Sequence, residues 1–384
     1  MQPAAEPLSE ADQRVTELEL FFDLVFVFAI TQVTGYISSH PTWARFAEGL
    51  AILAVLWWAW VSYAWLGNTA ASDEGAVRVV MLAAMGAMLI ASLAVPHAFG
   101  GDALVFGLAY FAVRALHIGA YTIVSREDAE LRGAVMRLAG PILPAAGLLV
   151  LAGVVAGTPR TACWVAALVV DYGGLILSGT EGWRVEPAHF AERHGLVIII
   201  ALGESIVSLG VGAAGVQVDP GLVAGALLGI GVAAALWWAY FDVVAMVAGR
   251  RLRAAAPAER VLMARDSYTY LHLPMVAGII LFAVGVKHML GDVGAHLEPV
   301  PAVSLCGGVA MYFLALSTFR RRNIGGFNRP RLVATAALIG LAPAAASIPA
   351  LAALALVAAV CAALIVYERI RFAAARDRIR HGTA

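Results

Sequence analysis

Residues 16–30 read Thr-Glu-Leu-Glu-Leu-Phe-Phe-Asp-Leu-Val-Phe-Val-Phe-Ala-Ile, an apolar run that carries acidic side chains. Together with the apolar residues that follow it, the run is long enough to cross the ~30 Å hydrocarbon layer of a bilayer as a helix. A carboxylate at membrane depth costs at least ~2.5 kcal/mol unless it faces protein, water or a counter-charge. Glu19 and Asp23 are therefore candidate functional residues.

The composition is that of an integral membrane protein. Hydrophobic residues make up 61% of the chain, charged residues 14%, and the mean hydropathy is +0.83. Soluble domains hold roughly half apolar and about a quarter charged residues. Apolar stretches recur along the whole length and predict an all-α transmembrane bundle of about twelve helices. The predicted spans are 20–37, 46–66, 76–98, 103–124, 134–156, 160–179, 188–212, 220–247, 267–289, 299–319, 331–347 and 349–368.

The basic residues are distributed unevenly between the two sides that these spans define. Only Arg45, Arg114, Arg160 and Lys287 lie outside one set of alternate loops and the two tails, which leaves 22 of the 26 basic residues on the other side. Because arginine and lysine concentrate in cytoplasmic loops, this asymmetry predicts a multi-pass protein with both termini in the cytoplasm.

The two halves of the chain resemble each other. Residues 23–32 align with residues 195–204, and Trp57-Trp58-Ala59-Trp60 aligns with Trp237-Trp238-Ala239-Tyr240. Further matches follow in the same order. With six helices in each half, both copies would share one membrane orientation, as parallel repeats do. We therefore expect two parallel six-helix repeats, residues 1–180 and 181–384.

Acidic and basic side chains recur at the start of the second half. Glu192, Arg193 and His194 open an apolar run that continues to Glu204 and Ser205. These three and His189, which lies one helical turn before Arg193, could be solvated residues that reach the headgroups from a helix end. Glu204 should lie near the middle of the membrane, beside small side chains that leave room for water or an ion.

Two interpretations remain open for the acids of the first helix. Glu19 and Asp23 are four residues apart and share a helix face. In the first, Glu19 lies at the membrane interface and Asp23 caps a helix or pairs with an arginine of a neighbouring helix. In the second, the two acids form a cation or proton site. Arg114 and Asp171 could likewise form a structural ion pair. The residues predicted to line an ion or substrate pathway are Glu19, Asp23, Glu192, Arg193, His194, Glu204, Ser205, Asp242 and His272.

Signatures of catalysis and of tightly bound cofactors are missing from the sequence. It contains no glycine-rich phosphate loop, no Gly-x-Ser-x-Gly elbow and no zincin motif. We therefore expect no catalytic residues and no cofactor, and an enzymatic role is the weaker interpretation. The histidines and acids fall on different helices, so the sequence leaves a metal site unspecified.

Three segments carry a family resemblance. Residues 17–32, residues 189–205 and residues 270–278, the last reading Tyr-Leu-His-Leu-Pro-Met-Val-Ala-Gly, resemble the bacterial low-temperature-requirement A family. The resemblance implies a polytopic protein of the bacterial cytoplasmic membrane, named for a requirement during growth in the cold. The residues that it carries over include Glu19, Asp23, Glu204 and His272.

A second similarity concerns mechanism. The first helix contains Phe22-Asp23 followed by Val-Phe-Val-Phe-Ala-Ile-Thr, which is similar to the Phe-Ser-Asp signature of potassium channels built from six-helix units. The chain departs from that signature in two ways: no serine separates Phe22 from Asp23, and Gly195 stands at the equivalent point of the second half. We expect transport of an ion or small solute. The alternatives are a tandem-repeat cation channel, or a membrane enzyme or cold-adaptation factor without transport. The expected partners are the lipid bilayer and the unidentified solute, with no nucleic acid; a homo-oligomer stays open.

Overall fold

The computed structural model describes residues 15–69 and 75–381. These residues form no strand, and an isolated antiparallel bridge joins His296 to Pro349. The first half has six long helices, with short 3₁₀ turns after the third and the fourth. They are α1 (Glu17–Ser39), α2 (Trp43–Thr69), α3 (Gly75–Ala94), α4 (Ala103–Val124), α5 (Ala129–Val154) and α6 (Thr158–Leu177).

The second half is also helical. Its elements are α7 (Pro187–Gly212), α8 (Pro220–Phe241), α9 (Val244–Ala254), α10 (Pro257–Met263), α11 (Leu271–Gly291), α12 (Pro299–Ile324), α13 (Arg329–Ala345), α14 (Ala350–Arg371) and α15 (Ala373–His381). The predicted span 220–247 is interrupted, because α8 ends at Phe241 and α9 begins only at Val244. The fold class predicted from the sequence, an all-α membrane bundle, is confirmed for the described residues.

Eleven helical segments of the described chain are long and apolar enough to cross a membrane. The predicted span 331–347 corresponds to α13, which has 17 residues. At 1.5 Å per residue α13 is about 25 Å long, which is shorter than the ~30 Å hydrocarbon layer. Large apolar side chains on the outside of the bundle, such as Leu24 at 62% and Leu177 at 88% exposure, are placed to contact lipid.

The direction of α13 follows from the contacts at its ends. Arg331, near its start, bonds Glu368 at the end of α14. The start of α14 lies beside the α11–α12 connection, where the Ala350 N–H donates to the Ala295 carbonyl at 2.8 Å. Because α12 leads from that connection to α13, α13 returns across the thickness that α12 crosses. The helices α12, α13 and α14 therefore alternate in direction.

The centre of the bundle is formed by α2, α11 and α12, whose most apolar stretches are 78% buried, against 22% for α6. Glycines let α11 and α12 approach closely. A Cβ on Gly278 would lie 2.5 Å from the Gly308 carbonyl oxygen, and a Cβ on Gly308 would lie 2.5 Å from the Gly278 oxygen. Small residues commonly permit this backbone contact between membrane helices.

A π-helix over Ala264–Tyr270 joins α10 to α11. In π-helical register the Thr269 carbonyl would accept from the N–H of residue 274, but Pro274 has none. The indole Nε1 of Trp57 donates to this carbonyl instead, at 2.9 Å. The irregular turn is thus tied to α2, and it places the residues at the start of α11 in the core.

Candidate functional site

A buried ionic network joins α1 to α7. Arg193 Nη1 lies 3.0 Å from Glu19 Oε1, and Arg193 Nη2 donates to Asp23 Oδ1 at 2.9 Å. His189 Nε2 lies 3.0 Å from Glu19 Oε2. Arg193 and Glu19 are fully buried, and Asp23 is 1% exposed. Arg193 therefore pairs directly with both acids of the first helix, and its pair with Asp23 is one of the contacts that the first interpretation allowed.

The network is built from two matching helix faces. Glu19 and Asp23 are one turn apart on α1, and His189 and Arg193 are one turn apart on α7. Each pair thus presents two side chains on one stripe. When α1 packs against α7, the acidic stripe meets the basic one, so that Arg193 pairs with both carboxylates and His189 bonds Glu19.

Neighbouring residues hold the carboxylates in place. Glu19 occupies the third position of α1 and accepts from the backbone N–H of Thr16 at 3.0 Å, which forms a capping box. Trp60 Nε1 donates to Asp23 Oδ1 at 2.8 Å. A Cβ on Gly67 would come 2.0 Å from Glu19 Oε1, so only glycine leaves room for the carboxylate at that position.

Two buried histidines lie next to the network. His194 Nδ1 is 2.9 Å from the Phe190 carbonyl, so this nitrogen carries the proton and donates. His194 Nε2 is then a buried acceptor, and it has no partner among the described residues. The ring of His272 lies 5.1 Å from that of His194. His272 Nδ1 faces the Ser267 carbonyl at 3.3 Å and therefore carries the ring proton, so Nε2 accepts from the Tyr240 hydroxyl at 2.9 Å.

A second polar contact joins α1 to α7 nearer the other end of both helices. Glu204 is 2% exposed. Its Oε2 lies 2.5 Å from Thr31 Oγ1, and its Oε1 accepts from Ser208 Oγ at 3.0 Å. Among residues 15–69 and 75–381, no basic side chain forms a salt bridge with Glu204. This carboxyl group therefore lacks the counter-charge that Glu19 and Asp23 have.

Comparison with known proteins agrees with this architecture. The family model described as bacterial low temperature requirement A protein matches residues 14–366, nearly the whole chain. The chain belongs to this family. It is also 30% identical, over 281 residues, to an uncharacterised protein of Rhizobium meliloti (strain 1021), an alignment that covers 70% of this chain and 67% of that protein. No solved structure matches.

The remaining predicted site residues of this low temperature requirement A protein are not all in one place. Glu192 is exposed on α7 and lies outside the ionic network. Ser205 is buried, but its hydroxyl donates to the Leu202 carbonyl of its own helix at 2.6 Å. Asp242 lies at the end of α8, where it pairs with Arg376 at 2.6 Å. The headgroup interpretation is wrong for Arg193 and His194, which are both fully buried.

The ion pair expected between Arg114 and Asp171 is confirmed in the first half of the chain. Arg114, fully buried on α4, donates from Nη2 to Asp171 Oδ1 at 2.9 Å. Its Nη1 donates to Ser62 Oγ and to the Trp58 carbonyl. Tyr110 donates its hydroxyl proton to Asp171 Oδ2 at 3.2 Å. This cluster has the donors and acceptors of a structural ion pair.

Sequence reasoning did not identify several residues of the site. Thr31 and Ser208 gave no signal, because hydroxyl side chains in membrane helices commonly bond their own backbone. Gly67 looked like any other small residue in a packed bundle. A metal centre is not indicated, since the described residues contain no group of three or more histidine, cysteine or acidic side chains suited to hold a metal ion.

Proposed function

We propose that this protein moves an ion or small solute across the bacterial cytoplasmic membrane and that Glu204 exchanges a proton or binds a cation during the cycle. The observation that carries the proposal is the buried Glu204 carboxyl group, which has hydroxyl partners and no salt bridge with a described residue. An ionised carboxylate at this depth is costly without a partner. A proton or a cation would remove that cost.

Hydrogen-bond accounting supports a proton on Glu204. The Thr31 hydroxyl has one proton but lies near two oxygens, the Val27 carbonyl at 3.2 Å and Glu204 Oε2 at 2.5 Å. If Glu204 carries the proton, it donates to Thr31, and Thr31 donates to Val27. Both contacts are then satisfied together. In the ionised state Thr31 must give up one of them, and a bound cation would have to replace the missing charge.

The arrangement of helices supports two six-helix halves. In the first half α1 packs on α2 and α3, and α3, α4, α5 and α6 pack in succession. In the second half α7 packs on α8 and α11, and α11, α12, α13 and α14 pack in the same succession. The aligned tryptophans differ in burial, with Trp57 fully buried and Trp237 44% exposed. The repeat proposal therefore rests on helix order and not on equivalent side chains.

In this proposal α1 and α7, the first helices of the two halves, form the moving interface. The ionic network holds it near the arginine-rich end, and the Glu204 contacts hold it nearer the opposite end. A transporter must open each side in turn. Release of the proton from Glu204 would leave a carboxylate without a counter-charge between α1 and α7. Water or a cation would then enter at that end, while the ionic network keeps the other end closed.

Flux measurements in proteoliposomes test the proposal. We expect wild-type protein to give saturable, gradient-coupled movement of protons, Na⁺ or K⁺, followed with an internal pH dye and with isotope uptake. Glu204→Gln keeps the shape of the side chain and removes proton exchange, so it should abolish this flux. Glu127→Gln changes an exposed acid in the turn after α4, outside the predicted pathway, and should leave the flux intact.

The alternatives give different results. Flux that does not saturate would indicate a channel, and the absence of flux together with altered lipid composition would indicate a membrane enzyme. Wild-type rates in Glu204→Gln would contradict the assigned role of Glu204. The amount of folded protein, measured by gel filtration, must match between the two glutamine variants for the comparison to hold.

A further inference from the structure

A basic cavity of about 610 Å³ lies at the arginine-rich end of the bundle. It is bounded by the end of α8, the start of α13, the end of α14, and α15. Five arginines and two carboxylates line it: Arg320, Arg329, Arg331, Arg371, Arg376, Asp242 and Glu368. The lining therefore has a clear excess of positive charge.

The two carboxylates are already paired within the protein. Glu368 accepts from Arg331 at 2.8 and 3.0 Å, a bidentate arrangement, and Asp242 pairs with Arg376 at 2.6 Å. The other three arginines of the lining form no salt bridge with any residue in the described ranges. Arg320 donates from Nη1 to the Gly326 carbonyl at 2.7 Å, whereas Arg329 and Arg371 are available to an anion that enters from outside the chain.

Arg331 adds a buried donor to this cavity. The residue is 5% exposed, and its Nη1 has no hydrogen-bond partner among the described residues. A buried donor without an acceptor destabilises the folded protein, and a ligand oxygen at this position would remove that cost. The helix α13 also begins here, at Arg329, and a helix N-terminus favours negative charge.

Two apolar grooves lead away from the cavity along the sides of α14. One groove, about 480 Å³, runs between α13 and α14 and shares Arg329 and Tyr367 with the cavity. The other, about 390 Å³, runs between α8 and α14 and shares Trp238. Trp and Tyr commonly mark the level of the membrane–water interface. The grooves thus point from that level toward the hydrocarbon layer.

We propose that this cavity binds an anionic phospholipid. The phosphate would lie among Arg329, Arg331 and Arg371, and the acyl chains would follow the two grooves beside α14. The unpaired arginines match a phosphate in charge and in hydrogen-bond geometry, as basic pockets at the cytoplasmic ends of membrane helices do. A zwitterionic lipid offers no net charge to these arginines. The proposal is independent of transport.

Lipid binding to the purified full-length protein tests the headgroup contacts. Native mass spectrometry from detergent should show that dioleoylphosphatidylglycerol is retained in preference to dioleoylphosphatidylcholine. Arg329→Gln and Arg371→Gln, both at exposed positions, should each weaken retention of the anionic lipid about fivefold. Arg251→Gln, a matched exposed arginine outside the cavity, should leave it unchanged.

Two further variants test the acyl-chain grooves. Ala337→Phe fills the α13–α14 groove and Ala234→Phe fills the α8–α14 groove, and both alanines are exposed, so the core is not overpacked. Each should weaken retention of the lipid but leave binding of glycerol phosphate unchanged. Equal retention of the two lipids would overturn the proposal. So would glycerol phosphate or inorganic phosphate binding as tightly as the lipid with no effect of the groove variants, which would identify a free phosphate site.

Discussion

Removal of Arg193 should destabilise the protein more than removal of any exposed arginine. In Arg193→Met, Glu19 and Asp23 keep their buried positions and lose the guanidinium that lies 3.0 and 2.9 Å away. Breaking a buried ion pair by removing one partner costs about 3–5 kcal/mol. Because this arginine serves two carboxylates, we expect a loss near the upper end of that range.

The charge accounting can be checked by restoring neutrality. In the triple variant Glu19→Gln/Asp23→Asn/Arg193→Met, both carboxylates and the guanidinium are removed together, so none of the three leaves a charged partner behind in the core. Replacement of a whole buried ion pair is often close to neutral in stability. The triple variant should therefore recover most of the stability that the single variant loses, although it has fewer polar contacts.

The assay is the free energy of unfolding in a titration from dodecyl maltoside to sodium dodecyl sulfate, followed by tryptophan fluorescence. Arg251→Met is the control, because Arg251 and Glu259 are 3.7 Å apart with side chains 55% and 46% exposed. Exposed pairs of this kind contribute at most ~1 kcal/mol. The reasoning is refuted if Arg193→Met unfolds like the control, or if the triple variant is less stable than the single one.

The remaining predictions concern Gly67, which lies against the Glu19 carboxylate, and the membrane topology. Gly67→Ala puts a Cβ 2.0 Å from Glu19 Oε1 and should lower the free energy of unfolding by about 1–3 kcal/mol in the same titration. Gly35→Ala, whose Cβ would have nothing within 4 Å, should leave it nearly unchanged. Equal effects of the two variants would show that the Glu19 carboxylate moves freely. An impermeant maleimide should label Val218→Cys, at a position 77% exposed, and Asp377→Cys from opposite sides of the membrane. The wild-type protein is the control for labelling of the native Cys163. Labelling of both from one side would contradict the predicted topology.

Those labels matter because the topology is still a prediction from arginine counts. Both chain ends, residues 1–14 and 382–384, lie outside the described residues. The ends of α8 nevertheless separate the two labelled regions, since α8 begins beyond Val218 and ends beside α15 through the Asp242–Arg376 pair. Placement of the arginine-rich end in the cytoplasm follows from the positive-inside rule alone.

Local sequence patterns predicted the helices well, because a run of about 20 apolar residues has few alternatives to a membrane helix. The same patterns showed that Glu19 and Asp23 share a face, as do His189 and Arg193. Which faces meet could not be predicted, because the contact between Glu19 and His189 joins residues 170 positions apart. Arg193 and His194 also stand close enough to a helix end to resemble headgroup residues, and only the packing of α1, α2 and α11 buries them.

The basic cavity likewise could be predicted only in part from the sequence. Counting arginines predicted which side of the membrane they occupy. It could not predict that the start of α13 and the end of α14 meet, nor that Arg331 becomes buried when Glu368 binds it. Asp242 was assigned to the pathway on depth alone, whereas the structure places it beside Arg376 in this cavity wall.

The reciprocal contact of Gly278 and Gly308 has a mechanical consequence. Each glycine lies against the carbonyl oxygen of the other, so α11 and α12 cannot shift along each other without collision, and we expect them to move as one rigid pair. A Cβ on Gly285 would likewise lie 2.6–2.7 Å from Leu305, so the two helices are in close contact at a second point further along their length. Whatever motion this protein performs, its hinge must lie elsewhere, and a spin-label pair across these helices should report one fixed, narrow distance in every state.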